Sequence, residues 1–294
     1  MLAMLERIVA ILFPLFAITA LGFVVGRRLR PDLSHANKLN MDVFTPALVF
    51  SAMASKDFHL LSFGPLLLAA ALLILGSGLV AWAAARLTGT APRTLVPPMM
   101  FNNSGNLGLP LAVLAFGDTA LAPAVAMFVV ANLLHYGFGT WLLDRDARLL
   151  TMWRTPTILA ALAGIAVSVS GLSVWPPLLT AIRMVGEIAV PLMLLSLGVR
   201  LAASRIEAVR FGLFGAALRP VSGMLIAWVL ITLIPLPPMQ QALLLVFGSL
   251  PPAVLNYMFA ERYEQEPDKV ASVVLIGNVA ALVSLPVALA IALR

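Results

Sequence analysis

From Ile8 to Gly26 the chain runs without a charged residue, and apolar stretches of similar length recur to its end. A helix needs about 20 such residues to cross the hydrocarbon core of a bilayer, where backbone groups must be satisfied within the segment. Spans are expected at residues 7–27, 37–55, 63–86, 95–117, 119–143, 155–173, 177–202, 210–234, 238–260 and 268–292. Proline, glycine and charge separate them: Arg30-Pro31, Ala91-Pro92-Arg93, Asp144 to Arg148, Trp175-Pro176-Pro177, Pro235 to Pro238 and Glu264 to Asp268. Of 294 residues, 61% are hydrophobic and only 11% charged, against roughly 25% charged in a soluble domain. The expected fold is all-α and integral to a membrane, with ten transmembrane helices and no soluble domain. The first apolar run is too long for a signal-peptide core, and no small-residue cleavage pattern precedes Arg27, so it reads as helix 1.

A net charge of +6 does not point to nucleic acid, because the basic residues sit in short loops between apolar runs. Alternate loops hold Arg27, Arg28, Arg30, Lys38, Arg86, Arg93, Arg145, Arg148, Arg154, Arg200, Arg205, Arg210, Arg262 and Lys269; the opposite side holds only Arg7, Lys56 and Arg294. Basic loops stay cytoplasmic, so both termini are expected on the outer face. Arg183 and Arg219 fall within spans, and Arg219 is expected to snorkel toward the cytoplasm. With no cysteine, three histidines and no HExxH motif, no metal and no cofactor are expected.

The second half repeats the plan of the first. Leu109-Pro110-Leu111-Ala112-Val113-Leu114 matches Leu250-Pro251-Pro252-Ala253-Val254-Leu255 at all but one position. Lys38, Asp42 and Pro46 recur as Arg183, Glu187 and Pro191, and Asn132 recurs as Asn278. The division is residues 1–145 and 150–294, five helices each. An odd number of helices makes the second repeat enter from the opposite face, so the repeats are inverted, an arrangement that recurs in secondary carriers.

Helix 4 carries Pro97-Pro98 and then Asn102-Asn103-Ser104-Gly105-Asn106-Leu107-Gly108-Leu109-Pro110. Proline and glycine break a helix, and three amides at membrane depth are costly against lipid. Helix 9 repeats this with Gly248, Pro251, Pro252 and Asn256. Discontinuous helices at matching repeat positions point to a carrier's binding site. A half-helix N-terminus carries roughly +0.5 charge and free N–H groups, so two of them suit one carboxylate. A dianion would need a further proton, cation or basic side chain.

Asn103 through Pro110 resembles the helix-4 signature of the auxin efflux carrier family, Asn-x4-Gly-[Ile/Leu]-Pro. Pro191 through Gly198 resembles its helix-7 signature, and Leu250-Pro251 through Ala260 and Tyr263 its helix-9 segment. The family includes plant PIN-type carriers and bacterial malonate and malate carriers. The resemblance covers essentially the whole chain. It implies a sodium/proton-antiporter-like fold, with helices 4 and 9 crossing, a scaffold of helices 1, 2, 6 and 7 and a transport domain of helices 3–5 and 8–10. It implies multi-pass residence in a bacterial inner membrane, and it places the substrate carboxylate on Asn103. The family's helix-9 crossover proline falls on Asn256, a departure that bears on substrate choice. Asp144 to Arg154 stands where the long plant carriers have a long central loop.

The candidate substrate-binding residues are Asn103, Ser104, Gly105, Asn106, Asn256, Asn132 and Asn278, with Pro110, Pro251 and Pro252 as crossover or hinge positions. Asn102 is expected to satisfy broken backbone instead. Asp42 with Lys38 and Glu187 with Arg183 are each spaced four apart, as helical neighbours. They read either as ion pairs that fix the scaffold or as a proton or sodium coupling site. His135, one turn after Asn132, is the candidate to titrate during transport. Gly22 and Gly26 permit close helix packing, within the chain or in a homodimer through the scaffold helices.

The leading function is a secondary transporter of a small organic anion, a mono- or dicarboxylate with malonate as the guess. It would work by alternating access in the lipid bilayer, and the chain is not an enzyme. No GxxxxGK[ST] loop is present, and no nucleophile with a nearby base. The alternatives are a sodium-coupled symporter of bile-acid-type organic anions and, from another class, a membrane sensor or channel.

Overall fold

The structure is a computed structural model that describes residues 2–54, 63–145, 155–204 and 206–293. Lys56, Arg148, Arg154, Arg205 and Arg294, used above to orient the chain, lie outside the described residues. The helices, in order, are α1 (Leu2–Leu29), α2 (Ser34–Leu39), α3 (Thr45–Met53), α4 (Gly64–Thr88), α5 (Pro92–Met100), α6 (Leu109–Phe116), α7 (Leu121–Leu134), α8 (Thr140–Leu143), α9 (Pro156–Ser170), α10 (Pro176–Glu187), α11 (Ala189–Ala203), α12 (Val209–Leu233), α13 (Pro238–Ser249), α14 (Leu255–Arg262) and α15 (Pro267–Ala292). Widened turns at Asn40–Phe44, Ser104–Gly108 and His135–Gly139 join α2 to α3, lead into α6, and join α7 to α8.

Six helical stretches are long and apolar enough to cross a membrane: Leu2–Leu29, Gly64–Thr88, Asp118–Leu143, Pro176–Ala203, Val209–Leu233 and Pro267–Ala292. The other expected spans are shorter or interrupted. α9 has 15 residues, about 22 Å of helix against a core of about 30 Å. The stretch from Ser34 to Met53 passes through a widened turn, and those from Pro92 and from Pro238 are broken in the middle.

Small residues set the packing. α1 lies along α11, where a Cβ on Gly198 would stand 2.0 Å from the Thr19 carbonyl oxygen and one on Gly22 2.2 Å from that of Leu195. Gly26 closes on Val199 and Ala202 of the same helix, so the glycine face of α1 is used inside the chain. α3 packs on α9 and α10, while α12 packs on α15, α13 and α4. The outward faces are apolar: Phe13, Leu79, Leu225 and Val283 are each at least 60% exposed. In water such a surface would be a liability; in lipid it is the outer coat.

Both breaks follow from proline. α5 contains Pro97 and Pro98, and the chain turns extended at Phe101 (φ −101°, ψ 105°). α13 ends at Ser249, Leu250 is extended (φ −60°, ψ 142°), and Pro251 and Pro252 have no N–H to continue a helix.

Candidate functional site

The two extended segments meet and pair antiparallel at Asn102 and Pro252. The Asn103 N–H donates to the Pro251 carbonyl (2.8 Å), and the Ala253 N–H donates to the Phe101 carbonyl (2.9 Å). Buried side-chain amides take up other groups freed by the breaks. Asn102 Nδ2 donates to the Phe247 carbonyl at 2.6 Å. Asn256 Nδ2 donates to Phe101 and Ala253, both at 2.9 Å. Asn278 Nδ2 donates to Val274 (2.8 Å) and Pro252 (3.2 Å). Unpaired backbone groups at this depth would each cost several kcal/mol, on the order of 2–7. The amides remove that cost.

A cavity of about 230 Å³ opens beside the crossing. Gly105 and Asn106, in the first turn after one break, line it, and so do Val254 and Leu255, where α14 begins after the other. The opening N–H groups of a helix have no partner within the helix, so both half-helix N-termini present donors and partial positive charge to one space. Its other polar walls include Asn40, Asp42, Asn132 and Arg200.

The sequence candidates separate into two groups. Gly105, Asn106, Asn132 and Asp42 line the cavity. Asn132 also donates to its own helix at the Phe128 carbonyl (2.9 Å). Asn103 and Asn278 are buried and bonded to one another, Nδ2 to Oδ1 at 3.1 Å, and Asn256 is buried with its amide on the breaks. These three and Ser104, also buried, are absent from the cavity wall. Pro251 and Pro252 stand at the crossing, whereas Pro110 sits in the first turn of α6, where its fixed φ suits a helix start.

His135 is buried behind the cavity, stacked on Phe101 with ring centroids 4.1 Å apart and edge-on to Phe259 at 5.1 Å. The Phe101 ring lies where a Cβ on Gly139 would stand, 2.7 Å away, so the glycine makes room for that stack. Arg183 and Glu187 form an exposed pair at 3.8 Å. Lys38 and Asp42 do not pair among the described residues. The widened turn at Asn40–Phe44 rotates Asp42 out of i,i+4 register and toward the cavity.

Two arginines take places the sequence reading did not give them. Arg200, counted above as a loop cation, lines the cavity with Nη1 3.5 Å from the Met258 sulfur. The signal was present: Met193, Ser196, Leu197 and Arg200 follow i, i+3, i+4, i+7 spacing, which puts them on one face of α11, and all four line the cavity. Arg219 was expected to snorkel and does not. Its side chain is fully buried, with Nη1 donating to the Gly248 carbonyl at 3.1 Å. The cause is a backbone-close crossing of α12 and α13, where a Cβ on Gly223 would meet the Gly248 oxygen at 2.0 Å. That crossing holds Arg219, one turn earlier, against the end of α13.

Comparison with known proteins gives two findings. A family model described as membrane transport protein matches residues 7–152 and 146–289. An uncharacterised transporter of Methanocaldococcus jannaschii is 26% identical over 198 residues, covering 62% of this chain and 62% of that protein. The match thus spans less than two thirds of the relative's length.

Proposed function

The chain belongs to the membrane transport protein family, that of the auxin efflux carriers, and from that premise we propose that it carries a small carboxylate across a bacterial inner membrane by alternating access. One observation carries the reading of the ligand: the N-terminal turns of both half-helices open onto a single cavity. Each contributes roughly +0.5 charge, enough between them to hold one carboxylate. Arg200 in the same wall supplies the further positive charge that a second carboxylate would require. Asn106 and Asn132 are the side chains placed to orient the ligand, while Asn103, Asn256 and Asn278 hold the crossing in shape.

The proposed architecture is ten crossings in two inverted repeats, 1–145 and 150–294. The paired breaks in α5–α6 and α13–α14 support it, since each half contributes one. The proposed division is a scaffold of α1, α2–α3, α9 and α10–α11 and a moving transport body of the remaining helices. Support comes from packing: α1 with α11 and α3 with α9 and α10 on one side, α12 with α4, α13 and α15 on the other. The cavity draws its wall from both groups.

The test is charge movement in proteoliposomes on rapid addition of malonate, malate, acetate and indole-acetate. A saturable current is expected for at least one acid. Asn106→Ala should reduce it about tenfold or more, as loss of a charge-assisted hydrogen bond would. Arg200→Gln should weaken dicarboxylates more than monocarboxylates. Silence to every acid from folded protein would sink the substrate class.

A further inference from the structure

Among the described residues, a few buried side-chain atoms have no hydrogen-bond partner within the protein, and two of them belong to the cavity wall: Asn40 Oδ1 and Ser196 Oγ. Both residues are more than nine-tenths buried, at 7% and 5% exposed. Such atoms are few in a folded protein, and each calls for a partner. The serine is the plainer case. Other buried hydroxyls in these spans return to their own helix: Ser77 to Leu73 (2.8 Å), Ser222 to Leu218 (2.7 Å), Ser249 to Val246 (2.7 Å) and Ser272 to Asp268 (2.8 Å). Ser196 makes no such bond, although a serine inside a helix ordinarily has the carbonyl one turn back within reach. Asn40 opens the widened turn between α2 and α3, and that turn packs against α11, which carries Ser196. The two atoms therefore come from neighbouring elements of one wall.

Their chemistry narrows what would satisfy them. An amide oxygen only accepts, while a serine hydroxyl both donates and accepts. A hydroxyl on the ligand answers both at once, donating to Asn40 Oδ1 and accepting from Ser196. An ammonium has no lone pair and would leave the serine proton unpaired. A carboxylate has no proton to give the amide oxygen, and an alkyl group answers neither. Arg200 follows Ser196 by one turn on the same face of α11. The neutral pair thus lies beside the cation assigned to a second carboxylate and differs from it in what it can hold.

We propose that Asn40 and Ser196 form a hydroxyl subsite on the scaffold wall of the cavity, so that the chain selects a short hydroxylated carboxylate over the same acid without its hydroxyl. The inference rests on the carboxylate reading above and adds a second anchoring point to it. A ligand held this way bridges the two bodies, with its carboxylate on the half-helix N-termini of the transport body and its hydroxyl on the scaffold. Discrimination follows from burial. The deoxy acid fills the same space and leaves both wall atoms unpaired, which is how a site built around a hydroxyl rejects the analogue that lacks one. The hydroxyl should be worth about tenfold or more in affinity.

The test is the binding of matched acids to purified protein in nanodiscs, read as the shift in thermal midpoint over a concentration series of each acid. Propionate is set against lactate and 3-hydroxypropionate, and malonate against hydroxymalonate. In wild type at least one hydroxylated acid should bind about tenfold or more tightly than its parent. Ser196→Ala and Asn40→Ala should each bring that ratio toward one. The ratio is the readout, because a variant that merely loosens the wall weakens both members of a pair alike. Ratios near one in wild type would mean that water serves the two atoms as well as a hydroxyl does, and would overturn the proposal. So would a wild-type preference that Ser196→Ala leaves unchanged, or tighter binding of alanine or β-alanine than of either hydroxy acid. If Asn40→Ala does not fold, Ser196→Ala decides alone. Binding without a hydroxyl preference overturns the subsite and leaves the carboxylate reading standing, whereas no binding of any acid overturns both.

Discussion

At the residue scale, three asparagines within five positions have separate duties. Asn102 caps the Phe247 carbonyl, Asn103 ties to Asn278, and Asn106 faces the cavity. Asn102→Ala would leave a buried carbonyl unpaired, which costs about 1–3 kcal/mol. Thermal unfolding in detergent should show that loss, whereas Asn106→Ala should leave the midpoint near wild type while lowering flux. The sequence marked these residues as a group, because amides beside Pro and Gly at membrane depth need a reason. It did not sort them, because facing depends on where the helix stops. The break lies at Phe101–Asn103, ahead of the Gly108–Pro110 motif that drew attention. Arg219 was misjudged for a related reason. A lone arginine in a span reads alike whether it snorkels or is buried, and a glycine pair 25 residues apart, Gly223 and Gly248, decides it.

At the element scale, apolar run length located the six long helical stretches, because a span is fixed by bilayer thickness. Widened turns were not legible; they depend on tertiary packing, and the one at Asn40–Phe44 undoes the expected Lys38–Asp42 pair. Another contact between distant elements lies outside the spans. Glu266 precedes α15 at φ 44°, accepts from the Thr94 hydroxyl at the start of α5 (2.6 Å) and pairs with Lys269. The hydrogen bonds from Lys269 and Thr94 hold its carboxyl below the ordinary value of about 4.5. A lowered folded value means stabilisation that is present above the ordinary value and lost as pH falls through the folded one. The side chain is 40% exposed, so the effect is small. Glu266→Gln should therefore lower the thermal midpoint slightly at pH 7, and the difference from wild type should shrink as pH falls below the ordinary value of about 4.5 and vanish below the lowered folded one.

At the scale of the whole molecule, the loop charges carry the expected orientation and a few matched residues the proposed repeat, because both are properties of the chain's linear order. A cysteine-free chain makes the orientation easy to check. Ser173→Cys, between α9 and α10, should react with an impermeant maleimide in intact cells; Glu207→Cys, between α11 and α12, should react only after permeabilisation. The reverse pattern would invert the topology. The way the two halves meet was not legible, since Phe101 with Ala253 and Asn103 with Pro251 are backbone contacts that no side-chain pattern announces. That stitch also governs how the protein is made. When the ribosome has delivered the first half, the Asn103 N–H and the Phe101 carbonyl are in or near the bilayer with their eventual partners still unsynthesised. The first half must wait, held by water, lipid headgroups or the insertion machinery, until residues 251–253 arrive to close it. Biogenesis therefore includes one late event at the centre of the molecule, the closing of the first half by the second, beyond the insertion of each helix in turn.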